Sequence, residues 1–370
     1  MRVFVGIILL ALPVTAAVAA PLPIDPLWDS AEFRKAFTAS YGIDARIEPK
    51  VTSAEKAVLD TVAAKMAAGD RDAAAGLLAG SPLLEESAVM QFSLGNLRFE
   101  QQRSEEAIEL FQRALALYPN FRDAHRNLAV ALVQGSQFER AEPHLRRSLE
   151  LGAQDGLTLG LLGYCHSGAG RQQAALQSFR MAALTMPEEL QWSLGEAAAL
   201  VELEEYGAAA SIFEGALDRA PERSDIWINL ADVRLRQGEP LLAIADLEVA
   251  RRLGGLGTAD RVSLGNLYLN ESLPARALES YRAALGATPP APLPKAIEAV
   301  ESLVRHERWG DARALAAEIE GSPAYQEIIA NAAEGDTKRL ARARALCELQ
   351  AGDTAEGAKQ VAELVLSLIH

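Results

Sequence analysis

Alanine recurs in this chain at a strict interval of 34 residues, and this periodicity constrains the fold more than any other feature. The seven positions are Ala73, Ala107, Ala141, Ala175, Ala209, Ala243 and Ala277. Most are followed four residues later by a large apolar side chain, at Phe111, Leu145, Phe179, Phe213, Leu247 and Tyr281, and then by a small residue. Residues at this spacing share one face of a helix. Each interval therefore contains a helix that packs this face against a partner helix.

Two further signals keep the same phase. A Leu-Gly or Leu-Ala pair opens the repeat at Leu94-Gly95, Leu128-Ala129, Leu162-Gly163, Leu230-Ala231 and Leu264-Gly265, and proline closes it at Pro119, Pro187, Pro221 and Pro289. This pattern resembles the tetratricopeptide repeat. The resemblance implies two antiparallel helices per repeat, stacked into a right-handed superhelix with a concave groove. The predicted fold class is all-α, an α-solenoid of stacked antiparallel helix pairs.

Breaks in the pattern suggest four segments. We predict a signal peptide over 1–19 and an N-terminal segment with a short capping helix over 20–53. A solenoid of one weak and six clear repeats follows over 54–291, and degenerate helical repeats with a C-terminal cap cover 292–370.

Three places depart from the regular repeat. The weak first repeat fits the pattern through Ala73 and Leu77. Glu196-Ala197 stands where a Leu-Gly pair is expected, which predicts a shifted helix that turns Trp192 and Leu194 inward. The prolines from 289 to 294 cannot continue a helix easily, and beyond them the repeat pattern resumes one residue late at Trp309.

The first twenty residues have the features of a secretory signal peptide. Arg2 precedes an apolar run over 3–12, and the small-residue site Ala17-Val18-Ala19 follows. We expect cleavage after Ala19 and a periplasmic location. The apolar run is shorter than the roughly 20 residues that span a bilayer, although an uncleaved anchor is the alternative.

The segment from 21 to 50 carries a second open question. A helix over about 30–40 would cap the first repeat, or the segment could lie in the protein's own groove.

No catalytic motif emerges from the chain. The five histidines are scattered, and Cys165 and Cys347 have no neighbouring Cys or His, so we expect both cysteines to be core residues. We therefore predict no enzyme activity, no cofactor, no metal and no small-molecule substrate. The formal net charge of −14 disfavours nucleic acid and anionic lipid, so we expect membrane contact only through partners.

The resemblance implies that the first helix of each repeat lines a protein-binding groove. Carried over position by position, the groove residues are Phe92, Asn96, Phe99, Arg126, Asn127, Tyr164, Asn229, Asp232 and Asn266. The asparagines can both donate to and accept from a peptide backbone, and the aromatic residues would anchor apolar side chains. Local hydrogen bonds at the helix turns are the alternative role for each asparagine.

A subclass of the family binds a partner's terminal carboxylate through two asparagines and several basic residues. Asn96 and Asn127 have its spacing of 31 residues. However, Phe92, Leu157 and Leu161 stand where the basic residues would be. We therefore do not predict that activity.

These observations favour a non-enzymatic, exported scaffold that binds another protein of the bacterial cell envelope in its groove. The stretches Tyr41-Gly42-Ile43 and Ile47-Glu48-Pro49 resemble repeat proteins associated with TonB systems, which implies a TonB-type transport or envelope-assembly context. Two alternatives remain open. The chain could recruit or regulate an envelope hydrolase or peptidoglycan synthase, or it could be a self-associating structural protein.

Overall fold

A computed structural model describes residues 48–350 of the chain. The predicted signal peptide, the helix over about 30–40 and the expected terminal helix after 352 lie outside these residues. Within them the secondary structure consists of α-helices and one short 3-10 helix, with no strand. The predicted all-α fold is confirmed.

The chain divides after Ile212 into two bodies, and the division falls inside a helix. The N-terminal body, residues 48–212, contains α1 (Ser53–Ala67), α2 (Arg71–Ala79), the 3-10 helix (Leu84–Glu86), α3 (Ala88–Glu100), α4 (Ser104–Leu117), α5 (Arg122–Gln134), α6 (Phe138–Glu150), α7 (Gly156–Gly168), α8 (Gln172–Thr185), α9 (Leu190–Glu202) and the start of α10 (Tyr206–Arg219). Successive helices pair as hairpins from α1/α2 to α7/α8, and α9 packs on α8.

The C-terminal body, residues 213–350, begins with the end of α10. It continues with α11 (Ser224–Arg236), α12 (Pro240–Arg252), α13 (Thr258–Asn270), α14 (Pro274–Leu285), α15 (Leu293–Arg305), α16 (Trp309–Gly321), α17 (Pro323–Ala330) and α18 (Glu334–Gln350). The hairpins are α11/α12, α13/α14 and α15/α16, and α18 packs on α15 and α16. The proline segment separates α14 from α15, as expected.

One residue with positive φ occupies the turn between consecutive helices in each repeat. These residues are Gly69, Gln102, Ser136, Gly170, Glu204, Gly238, Ser272 and Glu307. They follow one another at intervals of 33, then five times 34, then 35 residues. A left-handed residue ends a helix abruptly and lets the chain reverse. The last interval confirms that the pattern resumes one residue late at Trp309.

The weak first repeat has a different register from the predicted one. Ala74 and Leu78 are fully buried, whereas Leu77 is 40% exposed and Ala73 is only half-buried. In every repeat the buried alanine comes five residues after the left-handed residue, and Gly69 places it at 74. The prediction that Ala73 and Leu77 fit the repeat is therefore wrong by one residue.

The regular alanines from Ala107 to Ala277 are fully buried, and so is Ala312 in the late repeat. The glycines of the Leu-Gly pairs lie against the ring of the second helix. A Cβ atom would lie 2.6 Å from the Phe111 ring at Gly95, and 2.3 Å from the Tyr281 ring at Gly265. Only glycine allows these backbones to approach so closely.

The divergent repeat is built around Phe179 of α8. A Cβ atom at Gly163 of α7 would lie 2.7 Å from this ring, and one at Gly195 of α9 would lie equally close. Leu194-Gly195 thus takes the place of the missing pair, two residues early. Trp192 and Leu194 are fully buried, which confirms that the shift turns them inward.

Candidate protein-binding surface

The predicted groove residues all lie on the first helices of repeats, but they fall in both bodies. Phe92, Asn96 and Phe99 are on α3, Arg126 and Asn127 on α5, and Tyr164 on α7 of the N-terminal body. Asn229 and Asp232 are on α11 and Asn266 is on α13 of the C-terminal body. Within the N-terminal body α5 contacts both α3 and α7, so those six residues belong to one helical layer.

The three aromatic residues do not form open anchors, contrary to the prediction. Phe92 is fully buried, and its ring centroid lies 4.8 Å from that of Phe121 and 5.7 Å from that of Phe111. Tyr164 is also buried, its hydroxyl accepts a hydrogen bond from Gln191, and burial raises its pKa to about 12. Phe99 is 8% exposed. The rings pack inside the repeats because neighbouring helices cover them.

The asparagines of the N-terminal body bind each other. Asn127 is fully buried, and its Nδ2 donates to Oδ1 of Asn96 at 2.9 Å. This bond joins the first helices of adjacent repeats, so Asn127 holds the layer together and offers no surface to a partner. Asn96 is half-buried.

The asparagines of the C-terminal body are both half-buried. Asn266 accepts from the Tyr281 hydroxyl at 2.7 Å and donates to Oε1 of Glu298 at 2.8 Å. Asn229 donates to the backbone oxygen of Asp225 at 2.7 Å, which is the local bond that we considered as the alternative. Asp232 is half-buried and accepts from Arg236 at 2.8 Å. The binding role of Asn229, Asp232 and Asn266 stays a prediction.

Sequence reasoning missed most of a charged cluster at the N-terminal ends of α5 and α7. We name it the Arg122 cluster; its members are Glu48, Arg122, Asp123, Arg126 and Asp155. Nη2 of Arg122 lies 2.7 Å from Oε1 of Glu48, and its Nε lies 3.1 Å from Oδ1 of Asp123. Arg126 lies 3.7 Å from Asp123 and 3.8 Å from Asp155. Only Arg126 was predicted.

The electrostatics of the Arg122 cluster keep its arginine charged. Burial lowers the pKa of Arg122, but the carboxylates of Asp123 and Glu48 outweigh this effect and raise the pKa overall. A signal for the cluster existed in the sequence, because the residues that occupy the repeat positions of Arg122 and Arg126 elsewhere are small, hydroxyl-bearing or apolar.

Two histidines form a hydrogen-bonded pair between α5 and α6. The two Nδ1 atoms of His125 and His144 are 2.9 Å apart, and Nε2 of His125 is 3.0 Å from the Pro119 carbonyl oxygen. Because a carbonyl only accepts, His125 donates from Nε2 and its Nδ1 accepts from His144. Burial lowers the pKa of both, that of His144 to about 4. Both rings are neutral at pH 7, and they connect the two helices of one repeat.

The cysteines are free and buried, as expected of core residues. Burial raises the pKa of Cys165 to about 12, so its thiol is protonated at neutral pH. In residues 48–350, no group of three or more His, Cys, Asp and Glu side chains is arranged to hold a metal ion. No helix in that part of the chain has both the length and the apolarity needed to cross a membrane.

The profile of the tetratricopeptide repeat matches this chain over residues 92–156 and 194–257. The chain is 25% identical over 165 residues to Tetratricopeptide repeat protein 8 of Caenorhabditis elegans; the match covers 44% of this chain. It spans 32% of that relative's length, or about a third.

Among solved structures, the chain is similar to a tetratricopeptide repeat protein of Parabacteroides merdae, with a TM-score of 0.47 and 18% identity, over 62% of this chain and 91% of that one. It is also similar to pilF of Pseudomonas aeruginosa, with a TM-score of 0.44 and 22% identity, over 57% of this chain and 97% of that one.

Proposed function

Because this chain carries tetratricopeptide repeats, we propose that it is a non-catalytic scaffold that binds a protein partner through the first helices of its repeats. The observation that supports this role is a contrast between two sets of positions. The framework residues, such as Ala107 and Ala243, recur and are fully buried. The half-buried positions of the first helices, such as Asn96 and Asp232, carry polar side chains that differ between repeats. A constant frame with a varying polar surface suits the recognition of one particular partner.

The proposed location is the bacterial periplasm, and the proposed partner is another protein of the cell envelope. The sequence of the leader supports this, since Arg2, the apolar run over 3–12 and Ala17-Val18-Ala19 have the order of a cleaved signal. The resemblance around Tyr41-Gly42-Ile43 supports a TonB-type transport or envelope-assembly context. Amino-terminal sequencing of the chain from a periplasmic fraction should begin at Ala20. A chain that keeps Met1 and remains in the cytosol would contradict the proposed location.

The binding role is tested by crosslinked capture from an envelope extract, with mass spectrometry of the captured proteins. The bait is the full mature chain, either wild type or carrying Asn229→Ala and Asp232→Ala. Both side chains are half-buried, and the Asp232–Arg236 pair lies at the surface, where ion pairs contribute about 0–1 kcal/mol, so the variant should stay folded. The matched control is Asp218→Ala, an exposed residue on the second helix α10.

We expect the double variant to lose a specific envelope protein that wild type and the control retain. Equal capture by all three baits would remove α11 from the binding surface. Capture of nothing but the chain itself would instead favour self-association. If a hydrolase or a synthase is captured, its turnover with and without the chain separates a regulator from a passive scaffold.

A further inference from the structure

Glu48 is a charged side chain that is buried outside any helix. It precedes α1 by five residues, yet its carboxylate contacts α5, and its ion-pair partner Arg122 is 74 residues away in the sequence. Only 3% of Glu48 is exposed. A carboxylate with so little exposure requires a charged or hydrogen-bonding partner. The chain that leads into α1 is therefore tied to the N-terminal end of α5, within the N-terminal body.

Glu48 is the only member of the Arg122 cluster that comes from outside the helices α5 and α7 and the turn between repeats. The other members are two arginines and two aspartates, and Asp123 lies within 4 Å of both arginines. Glu48 adds a third carboxylate at 2.7 Å from Arg122. The positive end of the α5 dipole adds to the attraction for a carboxylate at this place. The helices thus form a receptor for one acidic side chain, and a separate segment supplies that side chain.

The repeat provides an internal comparison for these arginines. The residues at the position of Arg122 in the other repeats are Ala88, Gly156, Leu190, Ser224 and Thr258. Those at the position of Arg126 are Phe92, Gly160, Leu194, Ile228 and Val262. No other repeat has a basic residue at either place, so the packing of the repeat does not require one. A buried ion pair adds little net stability compared with apolar packing, and stability does not explain the two arginines.

We propose that Arg122 and Arg126 form a binding site for an acidic peptide segment, and that the chain's own Glu48 occupies this site in cis. A partner segment with a glutamate or aspartate side chain would displace Glu48 and pair with the same guanidinium groups, which bind carboxylates strongly. A tethered occupant has an effective concentration in the millimolar range, so it weakens a competing peptide considerably. The site rests on the proposed protein-binding function only in that its ligand is a peptide.

The test uses a fluorescein-labelled synthetic peptide with the sequence of residues 42–52, GIDARIEPKVT, and fluorescence anisotropy. The full chain is titrated as wild type, as Glu48→Gln and as Glu48→Gln with Arg122→Gln. We expect Glu48→Gln to bind the peptide roughly tenfold more tightly than wild type, because the cis occupant is weakened. The double variant should lose this gain, and so should a peptide in which glutamine replaces the glutamate. Equal affinity of wild type and Glu48→Gln, or no binding by either, would overturn the proposal.

Glu85→Gln is the matched control, since it removes a carboxylate whose side chain is 76% exposed and which lies 3.9 Å from Arg113. It should bind the peptide as wild type does. A second measurement needs no added peptide: trypsin cleavage after Lys50 should become several-fold faster in Arg122→Gln, because the Glu48 segment is released. An unchanged rate would show that Arg122 does not hold the segment. Either failure would leave the capture experiment on α11 unaffected, so the two proposals fail independently.

Discussion

Replacing Gly163 with alanine adds a methyl group where α7 and α8 touch. The new Cβ would lie 2.7 Å from Cδ1 and Cε1 of Phe179, whereas ordinary contacts begin at 3.4 Å. The ring has little room to move, because Phe179 is 2% exposed and Gly195 of α9 approaches the same two atoms equally closely. The substitution therefore forces a ring shift or a separation of the helices.

Two opposing effects set the magnitude. Alanine inside a helix is favoured over glycine by about 1 kcal/mol. Overpacking of a tight core costs about 1–3 kcal/mol, and the confinement of the ring by α9 places this site near the upper end. We expect a net loss of about 1–2 kcal/mol in the free energy of unfolding, or roughly 2–4 °C in melting temperature per kcal/mol.

The assay is urea and thermal unfolding followed by far-UV circular dichroism. Gly215→Ala is the matched control, since Gly215 lies inside α10 and a Cβ atom added there would have nothing within 4 Å, and it should gain up to about 1 kcal/mol. Phe179→Leu makes room beside Gly163, so its combination with Gly163→Ala should be less destabilising than the sum of the two single changes. If Gly163→Ala matches or exceeds wild type in stability, the close helix contact is refuted.

Three further perturbations test other parts of the structure. His144 has a folded-state pKa of about 4 against an ordinary value of 6.5, so stability is complete above pH 6.5 and decreases as the pH falls toward 4, by at most about 3 kcal/mol. His144→Asn should flatten the melting temperature over this pH range, and an unaltered profile would contradict the role of the pair. Arg234→Met should cost roughly 3 kcal/mol because it leaves the buried Asp246 carboxylate without its two 2.7 Å bonds, and adding Asp246→Leu should restore most of the loss in urea unfolding. Ala74→Leu should cost about 1–3 kcal/mol by overpacking while Ala73→Leu changes little, and the reverse order would restore the original register.

The helical architecture was predictable because packing imposes the same small and large residues on every repeat. The burial of Ala107 and the contact of Gly95 with Phe111 follow from side-chain size alone. The register of the first repeat was not predictable from alanine spacing, since Ala73, Ala74 and Ala75 are adjacent and identical. The turn residue Gly69 decides between them, and its left-handed conformation is a property of the folded chain.

The candidate surface was predictable only as far as the choice of helices. Repeat position indicates which helix belongs to the inner layer, but the exposure of a side chain also depends on what the neighbouring repeat places beside it. Phe92 is covered by Phe121, and Asn127 is covered because Asn96 accepts its hydrogen bond. The pair of Glu48 and Arg122 joins residues that no local pattern connects.

The left-handed turn residues also mark where the chain can be shortened or lengthened. Ser136 and Gly170 are 34 residues apart, share the same backbone conformation and each lead into a second helix with its alanine five residues later. Removing residues 137–170 would thus join two backbones that already have matching geometry, and one whole hairpin equivalent would leave without a new loop. Single-residue changes in length, as before Glu307, are instead absorbed between hairpins. Gene segments bounded by these turns are interchangeable modules, and the number of modules can vary while every junction stays the same.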